Sequence, residues 1–377
     1  MSTLKVDAIR HNSATSDAIT THSDGTASAK IADVGGSQLS NRNLQVNGAM
    51  VIAQKATTDT GSEGIATVDR FGLSTGGEDE DPTQAQVDVA SGTTPYSLGF
   101  RKAYKITNGN QTSGAGADDR VIVHTTYESQ DIANSGWNYT SSSGFITLSF
   151  WAKSSVAQTF YLALTTHDGS SYRYGSAITF TNTDWTKFTY KIPGNSNLQF
   201  DQDSGRGLQM YWTLFRGTNT TDNSFVLNQW AAYNGSIRYP DITPTWYTTN
   251  DSTFELTGVQ FEVGDTPTSF EHRTYGDELR RCQRYYEETY VMSDAGNSYV
   301  RVPVLYKVEK RAAGTPVSYA KRPDGVGTGA ANKSYQASGE RDTVCNYSWT
   351  GGTMVFVTGY ASNTDCFSNV RVDVGDF

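Results

Sequence analysis

Phe145-Ile146-Thr147-Leu148-Ser149-Phe150-Trp151-Ala152-Lys153 decides the fold class of this chain. Ile146, Leu148, Phe150 and Ala152 fall on one side of an extended backbone, with Thr147, Ser149 and Lys153 on the other, which is the period-two pattern of a half-buried strand. The alternation returns at Phe160, Leu162 and Leu164, at Phe188, Tyr190 and Ile192, and at Leu208, Met210, Trp212 and Leu214. Strands that each carry one apolar face need a second sheet to cover them. Two antiparallel sheets packed face to face, a jelly-roll-like β-sandwich over residues 99–272, is the economical arrangement. In Phe254-Glu255-Leu256-Thr257-Gly258-Val259-Gln260-Phe261-Glu262-Val263 the apolar parity changes at Gly258, where a β-bulge or a strand break is predicted.

Composition agrees with an all-β chain. Of 377 residues only 36% are hydrophobic and 18% charged, and Gly, Ser, Thr and Asn are abundant, so turns and short strands should outweigh helices. That length allows two or three domains. A net charge of −9 argues against a nucleic-acid partner or an anionic membrane, both of which need a basic field. No run of about 18 apolar residues is present, so no membrane insertion is expected. The polar N-terminus has no secretory h-region, which predicts synthesis in a cytoplasm. Cys282, Cys345 and Cys366 lack a C-x-x-C pair and read as buried thiols; a Cys345–Cys366 bridge would require adjoining strands.

The flanks of the sandwich differ from it. Residues 1–45 carry only scattered apolar positions and cannot bury enough surface to fold alone. They are expected to form an extended N-terminal attachment arm, in which Leu4, Val6 and Ile9 could add a strand to another subunit's sheet, or else a loose tail. Residues 46–98 read as a connecting segment with a first strand, closed by the acidic surface loop Gly76 to Pro82 and a further loop to residue 98. Residues 273–290 read as a helix, because Tyr275, Leu279, Cys282 and Tyr286 share one face, with Thr274 and Asp277 as its cap and with Asp277–Arg281 and Arg284–Glu288 as outer charge pairs. That face would meet symmetry mates along an oligomer axis or pack on the chain's own sandwich. Residues 291–377 return to strand patterns and predict a smaller C-terminal β domain, with a loop at Gly325 to Gly329.

No constellation for catalysis stands out. The five histidines fit no zinc or hydrolase spacing, no nucleophile elbow or phosphate loop is present, and no two of the 39 Asp and Glu are singled out as a glycosidase pair. Neither an enzyme nor a cofactor is expected. Asp201-Gln202-Asp203-Ser204-Gly205 opens like a calcium loop, but Trp212 stands where the closing Glu belongs, so no metal is expected either. Trp230, Tyr233, Tyr239, Trp246 and Tyr247 lie in a stretch broken by Gly235, Pro240 and Pro244. They are the candidate glycan contacts, since aromatic faces stack on sugar rings; packing in the core or between subunits is the alternative.

Several strings resemble one family. Leu4-Lys5-Val6-Asp7-Ala8-Ile9, Ser23-Asp24-Gly25, Asn43 to Met50 and Asp69-Arg70-Phe71 are similar to the opening of tail fibre proteins of tailed bacteriophages, especially those of marine cyanophages. Thr147 to Ser154, Thr257 to Gly264, Phe270 to Arg273 and Cys282 to Tyr286 resemble the same family's central module, which is itself similar to carbohydrate-binding sandwiches. The resemblance runs to about residue 311. It implies a virion structural protein, a homotrimeric tail fibre, its arm docked on tail proteins (adaptor, nozzle or portal region) and its β modules reaching for host surface polysaccharide. A capsid- or neck-attached fibre or decoration protein without receptor binding is the alternative. A glycan depolymerase is a further one, although the repeats of a solenoid are absent from this sequence.

Overall fold

The structure, a computed structural model, describes residues 6–9, 19–21, 23, 27–29, 41–293, 300–312, 315–320, 333–334, 345–349, 352–357 and 366–373. It is all-β. Three short N-terminal strands come first, β1 (Ala8–Ile9), β2 (Ile19–Thr21) and β3 (Ala27–Ala29), paired antiparallel in that order. Twelve further strands build the sandwich: β4 (Thr58–Thr60), β5 (Gly72–Gly76), β6 (Thr83–Asp88), β7 (Lys102–Thr107), β8 (Arg120–Glu128), β9 (Phe145–Ser154), β10 (Thr159–Thr166), β11 (Tyr172–Thr179), β12 (Thr186–Pro193), β13 (Arg206–Arg216), β14 (Trp230–Ala232) and β15 (Thr253–Val263). One six-stranded sheet has the order β14-β11-β10-β13-β8-β5 and the other β12-β9-β15-β7-β6-β4. Every pairing within them is antiparallel.

The core lies where the alternation put it. Ile146, Leu148, Phe150 and Ala152 from one sheet meet Phe160, Leu162, Leu164, Leu208, Met210, Trp212 and Leu214 from the other, all fully buried. The Trp212 ring sits between Phe71 and Phe150, at centroid distances of 6.1 and 5.7 Å. Each buried Ile, Leu, Met or Phe among them contributes about 1.5–3 kcal/mol by leaving water. The Gly258 reading is answered by a bulge: pairing with β9 slips between Thr257 and Gln260, and Gly258 has φ +63°. A Cβ there would stand 2.6 Å from the Phe100 ring. Gly258→Ala is therefore expected to cost about 1–3 kcal/mol, read as an earlier urea midpoint.

Two boundaries depart from the sequence reading. The sandwich begins well before residue 99, because β5 and β6 each join a sheet, and β6 occupies part of what was expected to be loop. Its one buried residue, Gln84, is not apolar, and Gln86 beside it is half-buried. Gln84 donates to Ser62 O at 2.7 Å and accepts from Tyr104 OH at 2.9 Å, and Gln86 donates to Met50 O at 2.7 Å, so hydrogen bonds do what burial of Val or Leu does elsewhere. The acidic run before it is held rather than loose: Asp79 accepts from Ser113 N at 2.6 Å and Glu80 from Asn110 N at 2.7 Å.

The second departure is the helix. It is α1 (Tyr275–Gln283) and stops seven residues short of Tyr290, since Tyr286–Ser293 forms β16, paired with β22 (Cys366–Asp373). Thr274 does cap it, accepting from Asp277 N. The C-terminal strands β17 (Val300–Leu305), β18 (Thr315–Ala320), β19 (Lys333–Ser334), β20 (Cys345–Trp349) and β21 (Gly352–Val357) complete two sheets, β16-β22-β18-β19 and β17-β21-β20. Cys345 and Cys366 are thus on strands of different sheets. In the arm, β1 is an edge strand that pairs with β2 of its own chain. Gly325 to Gly329 and Leu4 lie outside the described residues.

Candidate functional site

Residues 41–50 form a strap without strand structure that crosses the bulge, and its polar side chains make it a latch. Asn43 accepts from Gln45 N at 3.0 Å and from Phe261 N at 2.9 Å through Oδ1, and donates through Nδ2 to Val259 O at 3.0 Å. Its own N–H goes to Glu271 at 2.9 Å, and Arg273 donates to the carbonyls of Asn43 and Gln45. Asn47 N donates to Glu278 of α1 at 2.5 Å, and Val259 N donates to Gly48 O at 2.9 Å. A Cβ on Gly48 would lie 2.1 Å from Val259 O, which explains a glycine at this contact.

The other side of the latch is closed by charge. Arg284 donates to both oxygens of Glu128 at 2.6 and 2.7 Å, and Tyr285 OH donates to it at 2.7 Å. Burial raises the pKa of this carboxyl, but those donors outweigh it and hold Glu128 below its ordinary range. The Arg70 guanidinium lies 3.4 Å over the Tyr285 ring. Beside the latch opens a cleft of about 380 Å³, lined by Asn41, Gln130, Asp131, Asn134, Ser135 and Arg281, with Leu44 and Val46 as apolar members. Arg281, expected to face Asp277, instead reaches Asn41 at 3.2 Å; Arg284, expected to face Glu288, is the Glu128 partner.

The five aromatics proposed as glycan contacts are mostly packed. Trp246 is fully buried edge-on to Phe160 and donates to Thr253 O, and Tyr247 stacks on Phe215 at 4.3 Å. Trp230 is buried against Tyr174 and donates to Pro193 O at 2.7 Å. Tyr239 is buried as well. The physical reason is twofold: residues 217–243 fold back onto β11 instead of hanging free, with Asn228 N bonding Gly175 O and Tyr233 N bonding Ser171 O, and a helical turn over 245–248 lodges Trp246 and Tyr247 in the core. Tyr233 keeps an open face, at 36% exposure.

That outer face holds a group that the sequence reading did not single out. Arg173 on β11, Thr165 on β10 and Gln209 on β13 stand in one register row. The Arg173 guanidinium is ringed by Tyr239, Tyr211 and Tyr233 at 4.3, 5.2 and 5.6 Å from their centroids. Tyr211 OH donates to Gln209 at 2.6 Å, and Arg206 reaches the same oxygen at 3.4 Å. His167, whose N–H bonds Gly207 O, has its imidazole pushed down to about 4 by burial and then by Arg206 and Arg173, so it is neutral at ordinary pH. The signal in the sequence was Tyr172-Arg173-Tyr174, an arginine at the outward parity of a strand, but the three encircling rings come from separate segments.

Of the helix residues proposed as an oligomer or domain contact, Cys282 and Tyr286 are buried in the chain's own fold, and Leu279 is half-buried. Tyr275 is 63% exposed, and Tyr286 belongs to β16, so the four do not form one face. In the arm, Val6 is exposed, with its carbonyl accepting from the Thr21 hydroxyl at 2.9 Å, and Ile9 ends β1. Among the described residues no group of three or more His, Cys, Asp or Glu could hold a metal ion. Asp203 caps its own turn, accepting from Gly205 N at 2.8 Å.

No protein-family model matches the chain, and no curated protein matches it. Among solved structures, the enzymatically active domain of bacteriophage CBA120 tailspike protein 4 is similar over 59% of this chain, at 9% identity and a TM-score of 0.30, and the match spans 21% of that chain. A family 16 carbohydrate-binding module is similar over 47% of this chain and 84% of its own, at 11% identity and a TM-score of 0.24. An apo-form cyclase from Fischerella sp. is similar over 62% and 97%, at 9% identity and a TM-score of 0.30. The sandwich itself is defined by its own strands and their antiparallel pairing.

Proposed function

We propose that this chain is a non-enzymatic virion structural protein of a tailed bacteriophage, a homotrimeric tail fibre whose N-terminal arm docks on the tail and whose sandwich contacts host surface carbohydrate. The observation that carries the reading is the latch. Asn43 to Met50, which resembles phage tail fibres, is hydrogen-bonded across more than two hundred residues to the likewise matching Thr257 to Gly264 and Phe270 to Arg273, and Asn47, Asp69 and Gln54 link it on to Tyr286 O in Cys282 to Tyr286. Matching strings that are also in contact are constrained together, as parts of one shared structure would be.

The geometry suits a displayed module. The strap that follows the arm and the helix that leads to the C-terminal strands leave the sandwich side by side, through Arg281–Asn41 and Asn47–Glu278. The outer sheet face with Tyr233 and Arg173 lies on other strands and stays available. Purified full-length chain is expected to run in solution at three times the 41.1 kDa of one chain, and labelled chain should bind host cells before, but not after, periodate oxidation of their surface sugars. Antibodies against it should mark tails. Marking of capsid vertices would favour a decoration protein, and release of reducing ends from host glycan would make it a depolymerase.

A further inference from the structure

The outer face of the β10–β11–β13 sheet carries positive charge in a chain whose net charge is −9. Arg173 is only 5% exposed, its Nε makes no hydrogen bond, and no ion pair joins it to a described carboxylate. Around it, Thr165 Oγ1 and Tyr239 OH are likewise buried without a hydrogen-bond partner. A cation kept out of water without a counter-charge is costly, and tyrosine faces offset only part of that cost.

The nearby carboxylates are engaged elsewhere. Glu128 is taken by Arg284 and Tyr285, Asp168 by the Ser129 hydroxyl and Asp201 N, and Asp203 by Gly205 N. The missing negative charge is therefore not supplied by the described residues. The rim of the patch has the other features a sugar needs: the open ring of Tyr233, the half-buried ring and hydroxyl of Tyr211, and the Gln209 amide.

We propose that this surface binds an acidic sugar, a hexuronic acid unit of a host surface polysaccharide, with its carboxylate toward Arg173 and Arg206 and its ring against Tyr233 and Tyr211. The proposal rests on the carbohydrate reading above and narrows its ligand class. Arginine is the residue for this task because its planar fork matches a carboxylate.

Calorimetric titration of the full chain with oligogalacturonate, with the same oligomer as its neutral methyl ester, and with polyglutamate tests it. The free acid should bind, the ester about tenfold more weakly or not at all, and polyglutamate not measurably. Tyr233→Ala and Arg206→Gln should each weaken binding of the acid by about tenfold, with melting curves unchanged, whereas Arg173→Gln carries a risk of misfolding and is not needed. Equal binding of acid and ester overturns the acidic class and leaves the carbohydrate reading standing. Equal binding of polyglutamate overturns the sugar. Unchanged affinity in both variants places any sugar site elsewhere. Failure of every oligomer, together with periodate-insensitive cell binding, would take the parent reading down as well.

Discussion

Replacing Glu287 by alanine is expected to cost about 3–5 kcal/mol of stability, because it strands a buried ammonium. Glu287 and Lys310 are both fully buried and 2.5 Å apart, and the Lys310 ammonium also donates to Gln283 O at 2.5 Å and Val308 O at 3.2 Å. Burial pulls the Lys310 pKa below its ordinary value, and the Glu287 bond opposes that pull. With Glu287 gone, the folded-state pKa falls further below that of the unfolded chain. The unfolded state then binds more protons, so the stability of the variant should rise with pH toward lysine's ordinary range.

Urea melts of Glu287→Ala at about pH 7 and about pH 9.5 should show the deficit shrinking at the higher pH. A double variant, Glu287→Ala with Lys310→Met, should recover much of the loss at neutral pH, since it removes the ion rather than orphaning it. A deficit that stays constant with pH, in a double variant no better than the single, would mean that the pair acts through shape and not through charge.

The second large effect is expected at Asn43. Alanine there leaves Phe261 N, Gln45 N and Val259 O without partners, and each buried orphan costs about 1–3 kcal/mol, so a total of about 3–5 kcal/mol is expected if the strap relaxes in part. Protease sensitivity of residues 41–50 should rise with it. A variant that melts and resists cleavage like the parent would show that the strap rests on Asn47, Arg273 and Glu278 alone.

What the sequence disclosed follows from how each element is stabilised. The strands around Phe150, Leu162 and Trp212 were legible because burial alternates along them, and Gly258 marked the point where that alternation changes hands. β6 was hidden because its one buried residue is a glutamine. The helix was drawn too long because Tyr286 continues its spacing by coincidence while pairing in a strand. Asn43 and Asn47 carry no local signal of their own, since side chains that stand in for backbone partners leave no periodic trace. Arg173 with its ring of tyrosines was out of reach for a different reason: Tyr211, Tyr233 and Tyr239 are brought together by a loop folding back on a sheet, and no local pattern encodes that return. Trp246 and Tyr247 follow the packing alternative, because the helical turn that carries them lodges in the core against Phe160 and Phe215, and no local spacing distinguishes such a turn from an open loop.

The position of the latch also decides how the chain would carry load. A pull between the arm and the C-terminal strands need not travel along the two hundred or so residues of the sandwich, because Asn43, Asn47 and Asn41 are tied directly to Glu271, Arg273, Glu278 and Arg281. Tension crosses that short bridge, and the sheets hang beside it as a slack loop. The surface with Arg173 and Tyr233 would then keep its shape while the rest of the chain is stretched.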